Sequence, residues 1–147
     1  MTSPINGAYA EVLFKNRRKN THIAWVDEVS LTREVLSSAV LNANSSFEIT
    51  EFDSIDDCLL HREQVFDTII YHSHQVEFTD FCDVETLSDA YPGASIILVS
   101  DASTLDKLVL NRTLESGAST YFLSRVTSIA VFVEALEFAN ARRNVTV

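Results

Sequence analysis

Residues 22–28 read HIAWVDE, a compact apolar run that ends in two adjacent acids. An uninterrupted apolar run of this length is typical of a strand that is buried on both faces of a parallel sheet. The next segment, from Ser30 to Asn42, places its apolar residues at helical spacing. A buried strand followed by an amphipathic helix is the repeating unit of α/β folds, so this stretch predicts an α/β domain.

The same alternation of strand and helix continues along the chain. Further strands are predicted at residues 47–52, 67–72, 95–100 and 119–123. Further helices are predicted at residues 54–64, 83–90, 104–116 and 127–141. Right-handed crossovers and short connections leave few topologies for five such units. We therefore predict a flavodoxin-like (βα)5 doubly wound parallel sheet with strand order 2-1-3-4-5.

Signals for helix ends support this division of the chain. Ser54 begins a segment that resembles a capping box, Gly117 is placed to close the fourth helix, and Thr127 is placed to cap the last one. Residues 1–20 are predicted to form an N-terminal extension with a short helix from Ala8 to Lys19. The domain itself is predicted to cover residues 21–147.

Composition and charge exclude several classes of function. The chain has 147 residues, which suits one domain, and its formal net charge of −10 provides no field that attracts nucleic acid or an anionic membrane. No segment has the length or apolarity of an export signal or a membrane span. With the two cysteines, Cys58 and Cys82, taken as reduced, we expect a cytoplasmic protein that does not bind nucleic acid directly.

Residues at the predicted strand ends carry a family resemblance. From about residue 22 to 140 the chain resembles the receiver domain of response regulators. Asp27 and Glu28 match the acidic pair that holds Mg²⁺ in that family, and Ser100 matches the hydroxyl residue after the fourth strand. Tyr121, in a Gly-Ala-x-x-Tyr segment, matches the aromatic switch residue. The phosphoacceptor aspartate, however, is replaced by His72.

Two further positions of the resemblance also depart from the family. Ser124 stands in place of the lysine that follows the fifth strand, and Arg125 stands in place of the proline. Aspartyl phosphorylation requires a carboxylate nucleophile and a fixed cation on the developing phosphoryl oxygens. Because this sequence lacks both the carboxylate and the lysine, we predict a degenerate receiver that acts without phosphorylation. Arg125 is the residue that would have to replace the lysine.

The vacated pocket allows other ligands and a pH response. Asp27 and Glu28 retain the ligand type that Mg²⁺ prefers, although their third partner is missing. His72 and His74 point the same way if the strand continues past His72, and together with Asp27 or Glu28 they would suit Zn²⁺ or Ni²⁺. An imidazolium beside two acids would alternatively make the pocket sensitive to pH.

The last two helices carry more apolar residues than one buried stripe requires, which predicts an interaction surface. In receivers this surface, formed by helix 4, strand 5 and helix 5, is the usual site of dimerisation, so the resemblance implies a homodimer. The alternative is that residues 1–20 fold back over it. The predicted dimer face consists of Leu105, Leu108, Val109, Val131, Phe132 and Phe138.

Three classes of function follow from this sequence. The first is a non-catalytic regulatory domain that acts on a partner protein or a fused output domain, as in the N-terminal part of a transcription regulator. The second is a small-molecule, metal or pH sensor that uses the vacated acidic pocket. The third, a phosphorylated receiver or a flavodoxin-like enzyme, is the least supported, because acids occupy the place where a flavin phosphate would bind.

Overall fold

The computed structural model describes residues 20–75, 79–104 and 106–145, with side chains as far as residue 139. The predicted extension therefore lies outside the described residues, except for Asn20. Within the described ranges, no helix combines the length and apolarity that crossing a membrane requires.

Five parallel strands form one sheet in the order β2-β1-β3-β4-β5, which confirms the predicted topology. The strands are β1 (Thr21–Val26), β2 (Phe47–Phe52), β3 (Thr68–Ser73), β4 (Ser95–Ser100) and β5 (Thr120–Leu123). The helices between and after them are α1 (Ser30–Ala43), α2 (Ile55–Leu59), α3 (Phe81–Ala90), α4 (Lys107–Glu115) and α5 (Ile129–Val145).

The sheet has a hydrophobic core on each face because successive strand residues point to opposite sides. In β1, Ala24 and Val26 belong to the core under α2 and α3, whereas Ile23 and Trp25 belong to the core under α1 and α5. The central strands are apolar in both phases for this reason. The two cores hold the strands in register and so fix the positions of the residues that follow them.

Helix boundaries differ from the sequence prediction where side chains bind the backbone. Helix α2 ends at Leu59 rather than near residue 64. A ring nitrogen of His61 bonds the carbonyl of Asp57, and the Tyr91 hydroxyl donates to the carbonyl of Cys58. The same two carbonyls accept the amides of Leu60 and His61, three residues further on, so the last turn is tightened and the α-helix ends there.

The caps of α4 and α5 also differ from the prediction. Helix α4 begins after Asp106, whose carboxylate accepts a bond from the amide of Leu108, rather than at Thr104. In α5 the hydroxyl of Ser128, not that of Thr127, accepts a bond from a first-turn amide. Thr127 instead donates to the carbonyl of Leu123.

Gly117 closes α4, as its position in the sequence indicates. Its φ of +119° lies in a region that residues with a side chain rarely adopt. A Cβ at this position would also lie 2.5 Å from Oγ of Ser88 on α3. Glycine is therefore needed here both for the backbone turn and for the close packing of the turn against α3.

Candidate functional site

At the carboxyl edge of the sheet, polar side chains lie on the same face as the core residues that pack under α1 and α5. Along β1, β3, β4 and β5, the last core residue on this side is followed two positions later by a polar residue, and the alternation of strand residues gives both the same orientation. The pairs are Trp25 and Asp27, Ile70 and His72, Val99 and Asp101, and Phe122 and Ser124.

Two aspartates and two histidines meet at this edge, and we call them the Asp–His cluster (Asp27, His72, His74 and Asp101). Nε2 of His72 lies 2.7 Å from Oδ1 of Asp101, and its Nδ1 lies 3.3 Å from Oδ2 of Asp27. Nδ1 of His74 lies 2.6 Å from Oδ2 of Asp101, and its Nε2 lies 2.7 Å from Oδ1 of Asp27. Each imidazole therefore connects the same two carboxylates.

The cluster is most deeply buried on its Asp27 side. The side chain of Asp27 is inaccessible to solvent and that of His72 is 3% exposed. The side chains of His74 and Asp101 are 20% and 31% exposed. The two imidazoles stack with ring centroids 4.1 Å apart. The cluster thus has a closed inner end and an outer end that solvent reaches.

The protonation of the cluster is constrained by its geometry. A neutral imidazole carries one N–H and one lone pair, so one of its nitrogens would direct a lone pair at a carboxylate. That contact is repulsive, and it becomes attractive when the nitrogen carries a proton or a metal ion. The geometry therefore calls for a positive charge, from a proton or a metal ion, between the imidazoles and Asp27.

Additional donors hold Asp27 in its ionised form. Burial alone would raise the pKa of Asp27, but interactions with His72, the Thr32 hydroxyl, the Val29 amide and His74 outweigh burial. The pKa of this carboxyl therefore lies well below its ordinary value. The Thr32 hydroxyl donates to Oδ2 over 2.6 Å and the Val29 amide donates to Oδ1 over 2.9 Å.

The pKa values of His72 and Asp101 change in opposite directions because the two groups interact with each other. Burial lowers the pKa of His72, but the interactions with Asp27 and Asp101 outweigh burial and raise it above the ordinary value. Burial raises the pKa of Asp101, but bonds from Ser124, His72 and His74 outweigh burial and lower it. The Ser124 hydroxyl donates to Oδ1 of Asp101 over 2.6 Å.

Comparison with solved structures identifies the fold. A CheY-like response regulator receiver domain protein from Methanospirillum hungatei JF-1 superposes with a TM-score of 0.71 at 15% identity, over 86% of this chain and 98% of that one. A LuxR family DNA-binding response regulator from Silicibacter pomeroyi gives 0.69 at 18% identity, over 82% and 92%. The chain has the receiver fold. An orphan response regulator of H. pylori also matches, with a TM-score of 0.67 at 15% identity over 82% and 96%.

The comparisons with known proteins rest on structure. No protein-family model and no curated protein matches the chain. At identities of 15% to 18%, the structural matches establish the receiver fold and leave the chemistry of the site to its own residues.

Several residues predicted from the receiver resemblance lie apart from the cluster. Glu28 is exposed, although its neighbour Asp27 is buried. The hydroxyl of Ser100 accepts a bond from the amide of Ala102 and so stabilises the loop after β4. Tyr121 is half-buried against the α2 and α3 core, and Arg125 is exposed. The hydroxyl that reaches Asp101 therefore comes from Ser124, at the position of the family's lysine.

The residues predicted for a dimer face divide into two groups. Phe132 is buried, with its ring against Trp25 and Phe122, and Val109 packs on the other core. Phe132 is therefore not available at the surface, whereas Val109 keeps part of its exposure. Leu105 lies outside the described residues. Exposed apolar side chains remain at Leu108, Val131 and Phe138.

Two residues of the site were missed by sequence reasoning. Asp101 directly follows Ser100 at the end of a buried strand, on the same edge of the sheet as His72, and this position was the available signal. Thr32 lies in the first turn of α1, and nothing in the sequence marks it as a partner of Asp27.

The residues present do not suit the Mg²⁺ ion that the receiver resemblance implies. Mg²⁺ prefers oxygen ligands in octahedral geometry. Both oxygens of Asp27 face imidazole nitrogens, the position of the third carboxylate is taken by His72, and Glu28 is exposed. Among the described residues, the atoms that face Asp27 therefore include imidazole nitrogens, which are not the ligands that Mg²⁺ prefers.

Proposed function

We propose that the chain is a non-catalytic regulatory domain that acts without aspartyl phosphorylation. The observation that carries this proposal is the position of His72, which stands where receivers have their phosphoacceptor and connects Asp27 to Asp101. An imidazole in this place supplies no carboxylate on which an acyl phosphate can form. The proposal includes the expectation that Mg²⁺ is not required for function.

The remaining acids of the pocket support the same proposal. Asp27 and Asp101 are engaged by the histidines and by the hydroxyls of Thr32 and Ser124, which occupy their oxygens. With serine at position 124, no fixed cation is available there to stabilise a developing phosphoryl charge. We therefore expect one constitutive state in place of a phosphorylation-dependent pair of states.

The proposed role is protein recognition in the cytoplasm, where Cys58 and Cys82 stay reduced. The output would pass to a partner protein or to a fused domain, including the DNA-binding domain of a transcription regulator. A small-molecule sensor is the second candidate, because a cavity of about 410 Å³ lined in part by Glu28, His72 and His74 adjoins the cluster.

Self-association through α4 and α5 is part of the proposal. Leu108 on α4 is 72% exposed and Val131 on α5 is 49% exposed, so each of these helices keeps apolar surface after the core has formed. Exposed apolar groups on these two helices support an interaction surface. We propose that a second copy of the chain covers it.

Light scattering with size-exclusion chromatography tests both parts of the proposal. We expect the wild type to run as a dimer, with the same mass after addition of Mg²⁺ and beryllofluoride, which mimics a phosphoryl group. We expect Val131→Asp to run as a monomer, because a carboxylate would be desolvated in the contact. Glu134→Asp, at an exposed position of the same helix, is the matched control and should remain dimeric.

Each part of the proposal has its own contradicting result. A wild-type protein that is monomeric under all conditions would contradict self-association but not phosphorylation independence. A mass that changes on addition of beryllofluoride would contradict phosphorylation independence.

A further inference from the structure

The inner side of the Asp–His cluster presents three potential ligands for one metal ion. Asp27, His72 and His74 each offer one ligand atom, and these three atoms lie within 4.8 Å of one another. The three residues come from the ends of two adjacent strands, β1 and β3, which the sheet holds in fixed register. We propose that this group binds a transition-metal ion of the Zn²⁺ class, with Asp27, His72 and His74 as its ligands.

A buried polar atom without a partner points independently to a missing ligand. Nδ1 of His72 is buried and makes no hydrogen bond, although Oδ2 of Asp27 is only 3.3 Å away. Buried nitrogens of this kind are normally satisfied, so an orphaned one indicates an ion or group that completes the site. A metal ion between Nδ1 and Asp27 would satisfy it.

Asp101 supports the proposal from the outer side of the cluster. Metal-bound histidines usually donate their second ring N–H to a carboxylate, which fixes the tautomer and the orientation of the ring. Asp101 accepts such bonds from Nε2 of His72 and Nδ1 of His74. With Asp101 bound in this way, the other two nitrogens face Asp27, and their lone pairs would be available to a metal that lies there in place of a proton.

The type and number of ligands decide which metal fits. Two imidazoles and one carboxylate suit Zn²⁺ and related ions, whereas Mg²⁺ and Ca²⁺ take oxygen ligands. A divalent ion at this place would balance the negative charges of Asp27 and Asp101. Three protein ligands leave a fourth position for water or for a group from a partner, and His74 forms the exposed side of the site.

The site follows from the cluster itself and does not depend on the regulatory role proposed above. The test is calorimetric titration of ZnCl₂ into full-length protein that has been freed of metal by chelation. We expect one Zn²⁺ ion per chain for the wild type. Asp101→Asn should weaken binding about 10- to 100-fold, and His74→Gln, which removes a ligand, should weaken it further.

Two variants control for binding elsewhere on the chain. His22→Ala removes an exposed histidine at the opposite end of β1, and Cys82→Ser removes the exposed thiol. Both should bind Zn²⁺ like the wild type. The intense visible absorption of four-coordinate Co²⁺ gives a second readout on the wild type, which keeps the test valid if a cluster variant fails to fold.

Three results would overturn the proposal. The first is a wild type that takes up no Zn²⁺ and gives no four-coordinate Co²⁺ spectrum. The second is binding that Cys82→Ser or His22→Ala abolishes, because the ion would then be held elsewhere. The third is binding by the wild type that a folded His74→Gln variant retains at full strength.

Discussion

Asp27→Asn is expected to lower the free energy of unfolding by about 3–5 kcal/mol, the usual effect of removing one partner from a buried ion pair. The side chain of Asp27 is inaccessible to solvent, and both of its oxygens face histidine nitrogens. Asparagine keeps the shape of the side chain but removes the charge, and its amide group would direct N–H donors at one imidazole. The loss is large against a typical domain stability of about 5–15 kcal/mol.

Urea denaturation in buffer with a chelator measures this effect without a contribution from bound metal. Glu28→Gln is the matched control, because it makes the same chemical change at the next residue, which is exposed. We expect the control to lie within about 0.5 kcal/mol of the wild type. Equal stability of the two variants would contradict the buried and paired state of Asp27.

Leu136→Ala is expected to destabilise the domain by about 2–5 kcal/mol, the range for truncating a buried leucine. Leu136 is inaccessible to solvent and lies on the face of α5 that packs with Phe132 and Val133 on the sheet. The substitution leaves a cavity between α5 and the strands that carry Trp25 and Ile70.

The control for Leu136→Ala lies on the same helix. Val131→Ala removes a smaller apolar group from a side chain that is 49% exposed, and we expect a change of about 0.5 kcal/mol or less in the free energy of unfolding of the monomer. Thermal and urea denaturation at low protein concentration distinguish the two variants. A similar loss in both would mean that the faces of α5 are assigned incorrectly.

Strand order and the position of the site follow from the sequence because both depend on short-range patterns. Apolar runs such as residues 23–26 and 96–99 are buried on both faces, and this pattern is typical of a central parallel strand. The carboxyl ends of parallel strands share one edge of the sheet, so the convergence of Asp27 and His72 was predictable by counting along the strands.

The closed form of the cluster depends on long-range geometry, which the sequence does not display. Asp27 and Glu28 are adjacent and chemically similar, yet one is buried and the other exposed, because successive residues at a strand end point in opposite directions. Asp101 is a partner of both histidines only because β4 pairs with β3 in a register that aligns Ser100 with Ser73.

Local competition explains the remaining differences. The residues of α2 favour a longer helix, but its last turn tightens and ends at Leu59, where His61 and Tyr91 also bond two of its carbonyls. A contact between residues 33 positions apart, such as Tyr91 with Cys58, cannot be read from helical periodicity.

The most direct test of the central claim is the intact mass of the protein after incubation with Mg²⁺ and acetyl phosphate. A conventional receiver treated in parallel shows that the reagent is active, and His72→Asp shows whether a restored carboxylate is enough for reaction. We predict that the wild type gains no mass, because His72 replaces the phosphoacceptor and the Asp–His cluster engages the carboxylates of Asp27 and Asp101. A gain of one phosphoryl group on the wild type would contradict the account and would make Asp27, His72 and Asp101 the first residues to examine as acceptors.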